Sequence, residues 1–291
     1  MDNPTLFYQE SGKTNLIREV VSYIICIGLA LILGYFYAVI IILIPVVYIN
    51  FFITIGFGIG LGLICKLLAR FSHNRNKKSR IIQAVIIGFL ANYFQWTAYI
   101  LYVYNGATIP SIGTYLANLY WIVIPQNFIA AITEINRVGT WSVFGIVFNG
   151  SLLTAVWFFE FAIIMAVPIF TSIQANPYPY SELLQQWYHK YTLFKDFDAI
   201  PASNELISEL ANDPLKTIDS LGKGTGLRHV KIHLFYLKDE NKQYLTFEKI
   251  FMEGNGKENS SIIIDNLQID NSDAKQLLEK YENKRERINV I

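Results

Sequence analysis

The longest apolar run of the chain covers residues 20–65 and contains no Asp, Glu, Lys or Arg. A single helix of this length would measure about 70 Å, more than twice the roughly 30 Å thickness of a bilayer core. We therefore predict a hairpin of two membrane-spanning helices. We expect its turn between Pro45 and Asn50, because proline removes a backbone donor and Asn50 can lie among lipid headgroups.

Two further apolar runs, residues 81–104 and 141–170, predict a third and a last span. The stretch between them, residues 105–140, begins with turn residues and is only partly apolar, so we predict an interfacial or re-entrant segment. A crossing by residues 115–132 is the alternative. It would give five spans and move the C-terminal domain to the other side of the membrane.

The pattern changes after the last apolar run. Residues 176–180 form a stiff, proline-rich exit, and Ser181 is expected to open a helix that lies along the headgroups. We therefore assign residues 176–202 to a juxtamembrane linker and helix.

Residues 203–291 predict a small α+β domain. Alternating apolar positions at 230–236 and a returning run at 244–251 predict a β-hairpin, and residues 261–269 supply a third strand. Asn271 is expected to cap a final helix with one apolar face.

Composition supports this division. The 291 residues are 53% hydrophobic and 16% charged, and the first 175 contain only nine of the 24 basic and five of the 23 acidic residues. The fold class is therefore a multi-pass α-helical membrane domain of about four transmembrane helices plus an interfacial or re-entrant segment, followed by a small α+β soluble domain. Residues 1–19 are assigned as a cytoplasmic N-terminal segment and residues 20–175 as the transmembrane domain. The near-neutral charge gives no support for nucleic-acid binding.

A basic loop orients the membrane domain. Five of its residues, which no acidic residue accompanies, predict a cytoplasmic location for the loop and, across a two-span hairpin, for the N-terminus. Contact with anionic lipids is a compatible further role. The five residues are Arg70, Arg75, Lys77, Lys78 and Arg80.

Four alternate glycines lie in the second arm of the hairpin: Gly56, Gly58, Gly60 and Gly62. On a helix they form two adjacent small-residue grooves, 56 with 60 and 58 with 62, which let a neighbouring backbone approach closely. The grooves are expected to pack inside this subunit, or alternatively against another subunit or protein. Cys26 and Cys65 in the same hairpin are interpreted as small apolar packing residues.

Glu160 lies well inside the last span. A carboxylate in hydrocarbon costs about 2.5 kcal/mol or more, so it should face protein, be protonated, or both. The first interpretation is a buried hydrogen bond to another helix, with Asn92, Gln95 or Asn149 as partner. Contact with a membrane partner and proton or ion coupling are the alternatives.

Reactive constellations are weak in this sequence. His229 and His233 share a strand face without further metal ligands, so a solvated face is expected. Glycines within residues 222–226 could form an anion-holding nest, although three alternate glycines more often mark a flexible loop. We therefore assign no catalytic residue, metal or cofactor.

The overall layout resembles the TssN family of inner-membrane components of the type VI secretion system in Bacteroidetes. The resemblance rests on the hairpin at 20–65, the basic loop at 70–80, the aromatic exit at 176–180 and the tail that contains residues 229–238. It implies a non-enzymatic subunit of the bacterial inner membrane that links membrane neighbours to a cytoplasmic baseplate.

The expected function is therefore a membrane scaffold that oligomerises or binds other membrane-complex subunits, with both termini in the cytoplasm. A small ion- or proton-coupled transporter centred on Glu160 is one alternative. A ligand-sensing membrane protein is another, and it would need a pocket within residues 200–291.

Overall fold

The computed structural model describes residues 6–44, 46–120, 124–139, 142–143, 146–174, 178–198, 201, 203–253 and 257–281, with the backbone alone at 47, 142, 143 and 146. The chain divides into two compact units. We call Ser11–Asn176 the helical unit, and Met1–Glu10 together with Pro177–Ile291 the sheet unit.

The helical unit contains six helices and one short hairpin in its described residues. They are α1 (Leu16–Leu43), α2 (Val47–Phe71), α3 (Lys77–Tyr104), α4 (Ile112–Ala117), α5 (Pro125–Val138), β1 (Ser142–Val143), β2 (Ile146–Val147) and α6 (Gly150–Ile173).

Four of these helices, α1, α2, α3 and α6, are long and apolar enough to cross a membrane, which confirms the predicted number of long apolar helices. Asn15 and Asn76 begin α1 and α3 by accepting hydrogen bonds from the backbone N–H groups of Arg18 and Ser79, both at 3.2 Å. The hairpin reverses between α1 and α2, so Asn50 already belongs to α2. The predicted turn residue Pro45 lies outside the described residues.

The segment between α3 and α6 holds two separate helices. The 14 residues of α5 measure only about 21 Å, less than the roughly 30 Å of a bilayer core, and the six of α4 are shorter still. Pro125 begins α5, where its missing N–H costs no helical hydrogen bond. Residues 121–123 of the alternative span lie outside the described residues.

Small residues set the closest helix contacts. A Cβ on Gly34 of α1 would lie 3.2 Å from the backbone nitrogen of Gln95 in α3. A Cβ on Gly88 of α3 would lie 3.3 Å from the carbonyl oxygen of Ile164 in α6. Because α3 contacts both α1 and α6, it is the most buried of the four long helices.

The sheet unit contains six strands and three helices in its described residues. They are β3 (Tyr180–Ser181), β4 (Gln186–Trp187), β5 (His189–Thr192), α7 (Asn204–Asn212), α8 (Pro214–Ser220), β6 (Arg228–Tyr236), β7 (Lys242–Met252), β8 (Glu258–Asp270) and α9 (Asn271–Tyr281).

Strands β5, β6, β7 and β8 form one antiparallel sheet in that order, which confirms the predicted hairpin and third strand. Helices α7, α8 and α9 cover one face, where Leu210, Ile218 and Leu277 pack on the inward residues of the sheet. Tyr188 and Leu184 cover part of the other face.

The N-terminal segment belongs to this sheet. Phe7 forms an antiparallel bridge with Leu267 of β8. The backbone N–H of Tyr8 donates to the carbonyl oxygen of Asn266 at 2.9 Å, and the N–H of Gln268 donates to the carbonyl oxygen of Leu6 at 2.8 Å. The predicted independent segment 1–19 is therefore divided, since residues 6–10 join the sheet unit.

The helix predicted to begin at Ser181 is wrong. Residues 180–187 form the β3–β4 hairpin, and β5 follows as an edge strand of the main sheet. The cause is pairing over long range: His189 lies opposite Tyr236, which gives these residues backbone partners that a surface helix would not use.

Candidate functional site

A cavity of about 420 Å³ lies among α1, α2, α3 and α6 of the helical unit. Its polar lining residues are Tyr37, Asn50, Thr54, Gln95 and Glu160. It lies toward the end of the unit at which α1 turns into α2, because Thr54 is only about 10 Å along α2 from its first residue. The predicted intramembrane carboxylate therefore faces protein and a cavity at the same time.

A hydrogen bond from Tyr37 holds the carboxylate. The Tyr37 hydroxyl donates its one hydrogen to Glu160. The hydroxyl of Thr54 lies 2.8 Å from that of Tyr37 and 2.9 Å from the carbonyl oxygen of Asn50, and its one hydrogen serves one of these two contacts. The ring of Tyr37 stacks on Phe57 with centroids 4.4 Å apart, which fixes the hydroxyl toward Glu160.

The predicted partners of Glu160 were Asn92, Gln95 and Asn149. Gln95 lines the same cavity, but its amide nitrogen donates to Asn92 at 3.3 Å. Asn149 is exposed at the start of α6, well over two helical turns before Glu160. Glu160 therefore takes part in an interhelical hydrogen bond, but its partner is Tyr37 and none of the three predicted residues. In the sequence, Tyr37 is only one of several aromatic residues in an apolar run.

Aromatic rings form most of the remaining wall. Trp96 of α3 meets Trp157 of α6 edge to face, with centroids 4.7 Å apart and planes at 89°. Tyr99 continues this row, 5.7 Å from Trp96. The aromatic lining residues other than Tyr37 are Phe51, Trp96, Tyr99, Tyr102, Trp157 and Phe159.

The four alternate glycines divide between two surfaces. A Cβ on Gly58 would lie 3.1 Å from the Cβ of Val167, and one on Gly62 would overlap Thr171, so this pair packs against α6. A Cβ on Gly60 would reach only the tip of Leu33, and one on Gly56 would meet nothing within 4 Å. One predicted groove is thus filled inside the subunit, and the other is largely open.

The basic residues of the α2–α3 loop form an exposed group and a buried group. Arg70, Lys77 and Lys78 are exposed, whereas Arg75 and Arg80 are only 4% and 2% exposed. The two buried arginines cannot make the further predicted contact with lipid headgroups, because the loop folds onto the ends of the helices.

Arg80 joins two parts of this helix end. Its Nε donates to the carbonyl oxygen of Ser172 at 3.3 Å, and its Nη1 donates to that of Asn74 at 3.1 Å. Each is a charge-assisted hydrogen bond, so Arg80 ties the end of α6 to the loop before α3.

Arg75 joins the segment before α1 to the same loop. Its Nε donates to the Oγ of Ser11 at 3.3 Å, and its backbone N–H donates to the carbonyl oxygen of Lys13 at 3.1 Å. Nearby, Arg18 donates to the Nδ1 of His73 at 2.6 Å. Burial and the charges of Arg18 and Arg75 lower the pKa of His73, which favours the neutral ring that accepts this bond.

In the sheet unit, the predicted solvated face of β6 is wrong. His229 and His233 are only 8% and 5% exposed, because the sheet is covered on both faces. His233 lies 2.8 Å from Glu248 through Nε2 and 2.9 Å from Thr192 through Nδ1. Burial lowers the pKa of His233, and the contact with His233 lowers the pKa of Glu248. A neutral ring satisfies both contacts, with Nε2–H donating to Glu248.

The glycine-rich loop at 222–226 does not present a free nest. The N–H of Gly224 donates to the carbonyl oxygen of Asp196 at 2.9 Å, and that of Thr225 approaches the carbonyl oxygen of Arg228 at 3.2 Å. Two of the amides that would hold an anion are thereby used by the fold. Within the described residues, no group of three His, Cys, Asp or Glu side chains could hold a metal ion.

These features define a class of protein: a four-helix unit built from candidate membrane spans, with a polar cavity, followed by a small sheet-containing unit. No family model, curated protein or solved structure matches the chain.

Proposed function

We propose that the protein is a four-span scaffold subunit of a multiprotein complex in the bacterial inner membrane, with both ends in the cytosol. The observation that carries this proposal is the pairing of residues 6–8 with β8. It brings the two ends of the helical unit back to one folded, water-exposed unit.

The pairing bears on the number of crossings. The chain enters the helical unit after Glu10 and leaves it before Pro177, and both flanking segments fold together. Parts of one soluble unit must lie on one side of a bilayer, which requires an even number of crossings. Four long helices satisfy this requirement, and the short helix α5 then lies at the membrane surface.

The side of the membrane follows from the exposed loop charges. Arg70, Lys77 and Lys78 are exposed between α2 and α3, at the same end of the helical unit as Ser11. Short loops rich in Lys and Arg stay in the cytosol. The sheet unit is therefore cytosolic and available to soluble partners, whereas the largely open groove at Gly56 is available to a neighbour in the membrane, including a second copy of the chain.

The family resemblance suggests which complex this is. We propose other membrane subunits of a type VI secretion system and its cytoplasmic baseplate as partners, without nucleic acid and without enzymatic activity.

Topology is tested with single-cysteine labels in spheroplasts. The native Cys26 and Cys65 are fully buried, so an impermeant maleimide should ignore them. We expect the label to reach Thr133→Cys in intact spheroplasts, and to reach Lys238→Cys only after lysis. Labelling of Lys238→Cys in intact spheroplasts would disprove the cytosolic placement of the sheet unit.

The scaffold role is tested by crosslinking in living cells, followed by purification and mass spectrometry. We expect secretion-system membrane and baseplate components to be recovered with the full chain, and the baseplate components alone to be lost when the sheet unit is replaced by an unrelated soluble domain. Recovery of the baseplate components with the replaced chain, or of no component with the natural one, argues against this role.

The cavity around Glu160 favours ion- or proton-coupled transport as a second candidate function, because a lone carboxylate lines it. Glu160→Gln separates the two functions. A scaffold should keep its partners and support secretion with this variant, whereas coupled transport should be lost.

A further inference from the structure

The cavity of the helical unit combines aromatic rings with a carboxylate. Seven of the fifteen described residues that line it are aromatic, and Glu160 supplies the one carboxylate among them. Its volume of about 420 Å³ lies within the range of roughly 300–1,000 Å³ that is typical of small-molecule sites.

No described lining residue of the cavity offers Glu160 a positive charge. Among the described residues that line it there is no Lys, Arg or His. Tyr37 donates a hydrogen bond to Glu160, and Thr54 and Asn50 lie beyond Tyr37, but none of these groups carries a positive charge. An ionised carboxylate in a low-dielectric bundle attracts a counter-ion strongly, and none of the described lining residues supplies one.

The rings make an organic cation a better fit than a hydrated metal ion. A ring face attracts an ammonium group, most strongly for Trp, with about 0.5–1 kcal/mol at exposed sites and about 2 kcal/mol or more when desolvated. Trp96 and Trp157 lie on two different helices and meet at this wall. Metal ions such as Mg²⁺ and Ca²⁺ instead require several oxygen ligands, and the hydroxyl groups of Tyr37 and Thr54 at this site are already engaged in hydrogen bonds.

The position of the site gives its route of access. Tyr37 lies only six residues before the end of α1, so the cavity is about 9 Å below the α1–α2 turn. In the proposed topology this end faces away from the cytosol.

We propose that this cavity binds an organic ammonium group, with the charge at Glu160 and the carbon substituents against the aromatic wall. The group can belong to a free amine or to the headgroup of an ethanolamine lipid. This inference does not depend on the scaffold role, because it concerns the helical unit alone.

The test uses the full chain in nanodiscs of phosphatidylglycerol, which has no ammonium group. Benzylammonium is titrated and tryptophan fluorescence is recorded, with benzyl alcohol as the uncharged ligand of similar shape. We expect saturable binding of benzylammonium that is at least tenfold tighter than binding of the alcohol. Equal binding of the two ligands, or no binding of benzylammonium, would overturn the proposal.

Two carboxylate variants locate the charge. Glu160→Gln keeps the size of the side chain and should abolish the preference for the cation. Glu134→Gln removes an exposed carboxylate of α5 outside the cavity and should leave the preference unchanged. An unchanged preference in Glu160→Gln refutes the assignment.

A second pair of variants keeps the test decisive if Glu160→Gln does not fold. Trp157→Phe retains a ring, whereas Trp157→Leu does not. We expect a graded loss, with the leucine variant several-fold weaker for benzylammonium than the phenylalanine variant. Equal affinities would show that the ring does not contact the cation.

The lipid source is tested by replacing part of the phosphatidylglycerol with phosphatidylethanolamine. If a headgroup occupies the cavity, the lipid should compete with benzylammonium in the natural chain and not in Glu160→Gln. If a free amine is the natural ligand, the affinity for benzylammonium should not change. Competition that persists in Glu160→Gln contradicts binding of the lipid at this carboxylate.

Discussion

The contact between α2 and α6 can be tested by adding one methyl group. Gly62→Ala places a Cβ where it would overlap the Oγ1 of Thr171 and lie 3.0 Å from the Cβ of that residue. Gly56→Ala adds the same group to the same helix at a position with nothing within 4 Å. The two variants therefore differ in packing and hardly at all in intrinsic helix propensity.

The expected magnitude follows from two opposing effects. Replacing glycine by alanine inside a helix stabilises by about 1 kcal/mol in both variants. Overpacking a tight contact costs about 1–3 kcal/mol, and only Gly62→Ala incurs this cost. Thr171 cannot turn away freely, since its hydroxyl donates to the carbonyl oxygens of Val167 and Pro168 at 3.0 and 2.9 Å. We expect Gly62→Ala to be less stable than Gly56→Ala by about 1–3 kcal/mol.

The measurement is unfolding of the purified full chain in mixed micelles, by titration with SDS and detection by circular dichroism. Thr171→Ala in the Gly62→Ala background removes the overlapping hydroxyl and should restore part of the loss, because the Cβ contact remains. If Gly62→Ala and Gly56→Ala unfold at the same SDS fraction, α2 and α6 are not in the close contact described above.

Three further outcomes are expected. Arg80→Gln should destabilise the helical unit by roughly 3 kcal/mol in the same SDS titration. The variant loses charge-assisted hydrogen bonds, including that to Ser172, each worth about 1.5–3 kcal/mol. A change below about 0.5 kcal/mol would contradict the proposed connection between α6 and the loop before α3. The pKa of His233 is lowered in the folded sheet unit, so the unfolded chain binds the proton first and stability should fall as the pH drops below about 6.5. The depressed pKa of Glu248 lowers the stability further only below about pH 4.5. Pulse proteolysis in urea at pH 7.5 and 5.5 should show a smaller difference in stability between the two pH values for His233→Gln than for the natural chain. An equal difference would refute the assignment to His233. Deleting residues 1–10 should destabilise the sheet unit by about 1–3 kcal/mol in the same proteolysis assay, since two backbone hydrogen bonds to β8 are lost; an unchanged urea midpoint would contradict the pairing.

Much of the fold could be predicted because its signals are local. Long uncharged runs define the four apolar helices, and alternating apolar positions at residues 230–236 define strand β6. Helix caps are local signals too: Ser203, a residue type that favours helix starts, begins α7 by accepting from the N–H of Leu206 at 3.1 Å. Each of these signals depends on a few neighbouring residues.

The error at residues 181–191 shows where local pattern fails. Leu184, Trp187, Tyr188 and Tyr191 have a spacing that suits one helix face. In the structure, Trp187 and Tyr191 lie in short strands, Leu184 in a turn and Tyr188 between two strands. Tyr188 is only 4% exposed, and it packs in the cluster on the second face of the sheet. That face was expected to be solvated, so nothing in the sequence indicated that these rings had a surface to cover.

The candidate site was half predicted for a similar reason. An isolated Glu160 in an apolar helix is conspicuous, and Gln95 at the same cavity follows from its polarity. Tyr37 and Thr54 are not conspicuous, because one hydroxyl in a long apolar run suits a lipid interface as well as a buried bond. Their role requires knowing that α1, α2 and α6 meet, and Tyr37 and Glu160 are 123 positions apart.

The pairing of Phe7 with Leu267 is the least predictable contact and constrains the topology most. The partners are about 260 positions apart, and residues 6–8 show no alternation long enough to predict a strand. Once formed, the pairing excludes an odd number of crossings in an inserted chain, because the two backbone hydrogen bonds beside it cannot form across a bilayer. A crossing by residues 115–132 would therefore have to break this edge of the sheet, so the fifth span and the N-terminal strand are mutually exclusive.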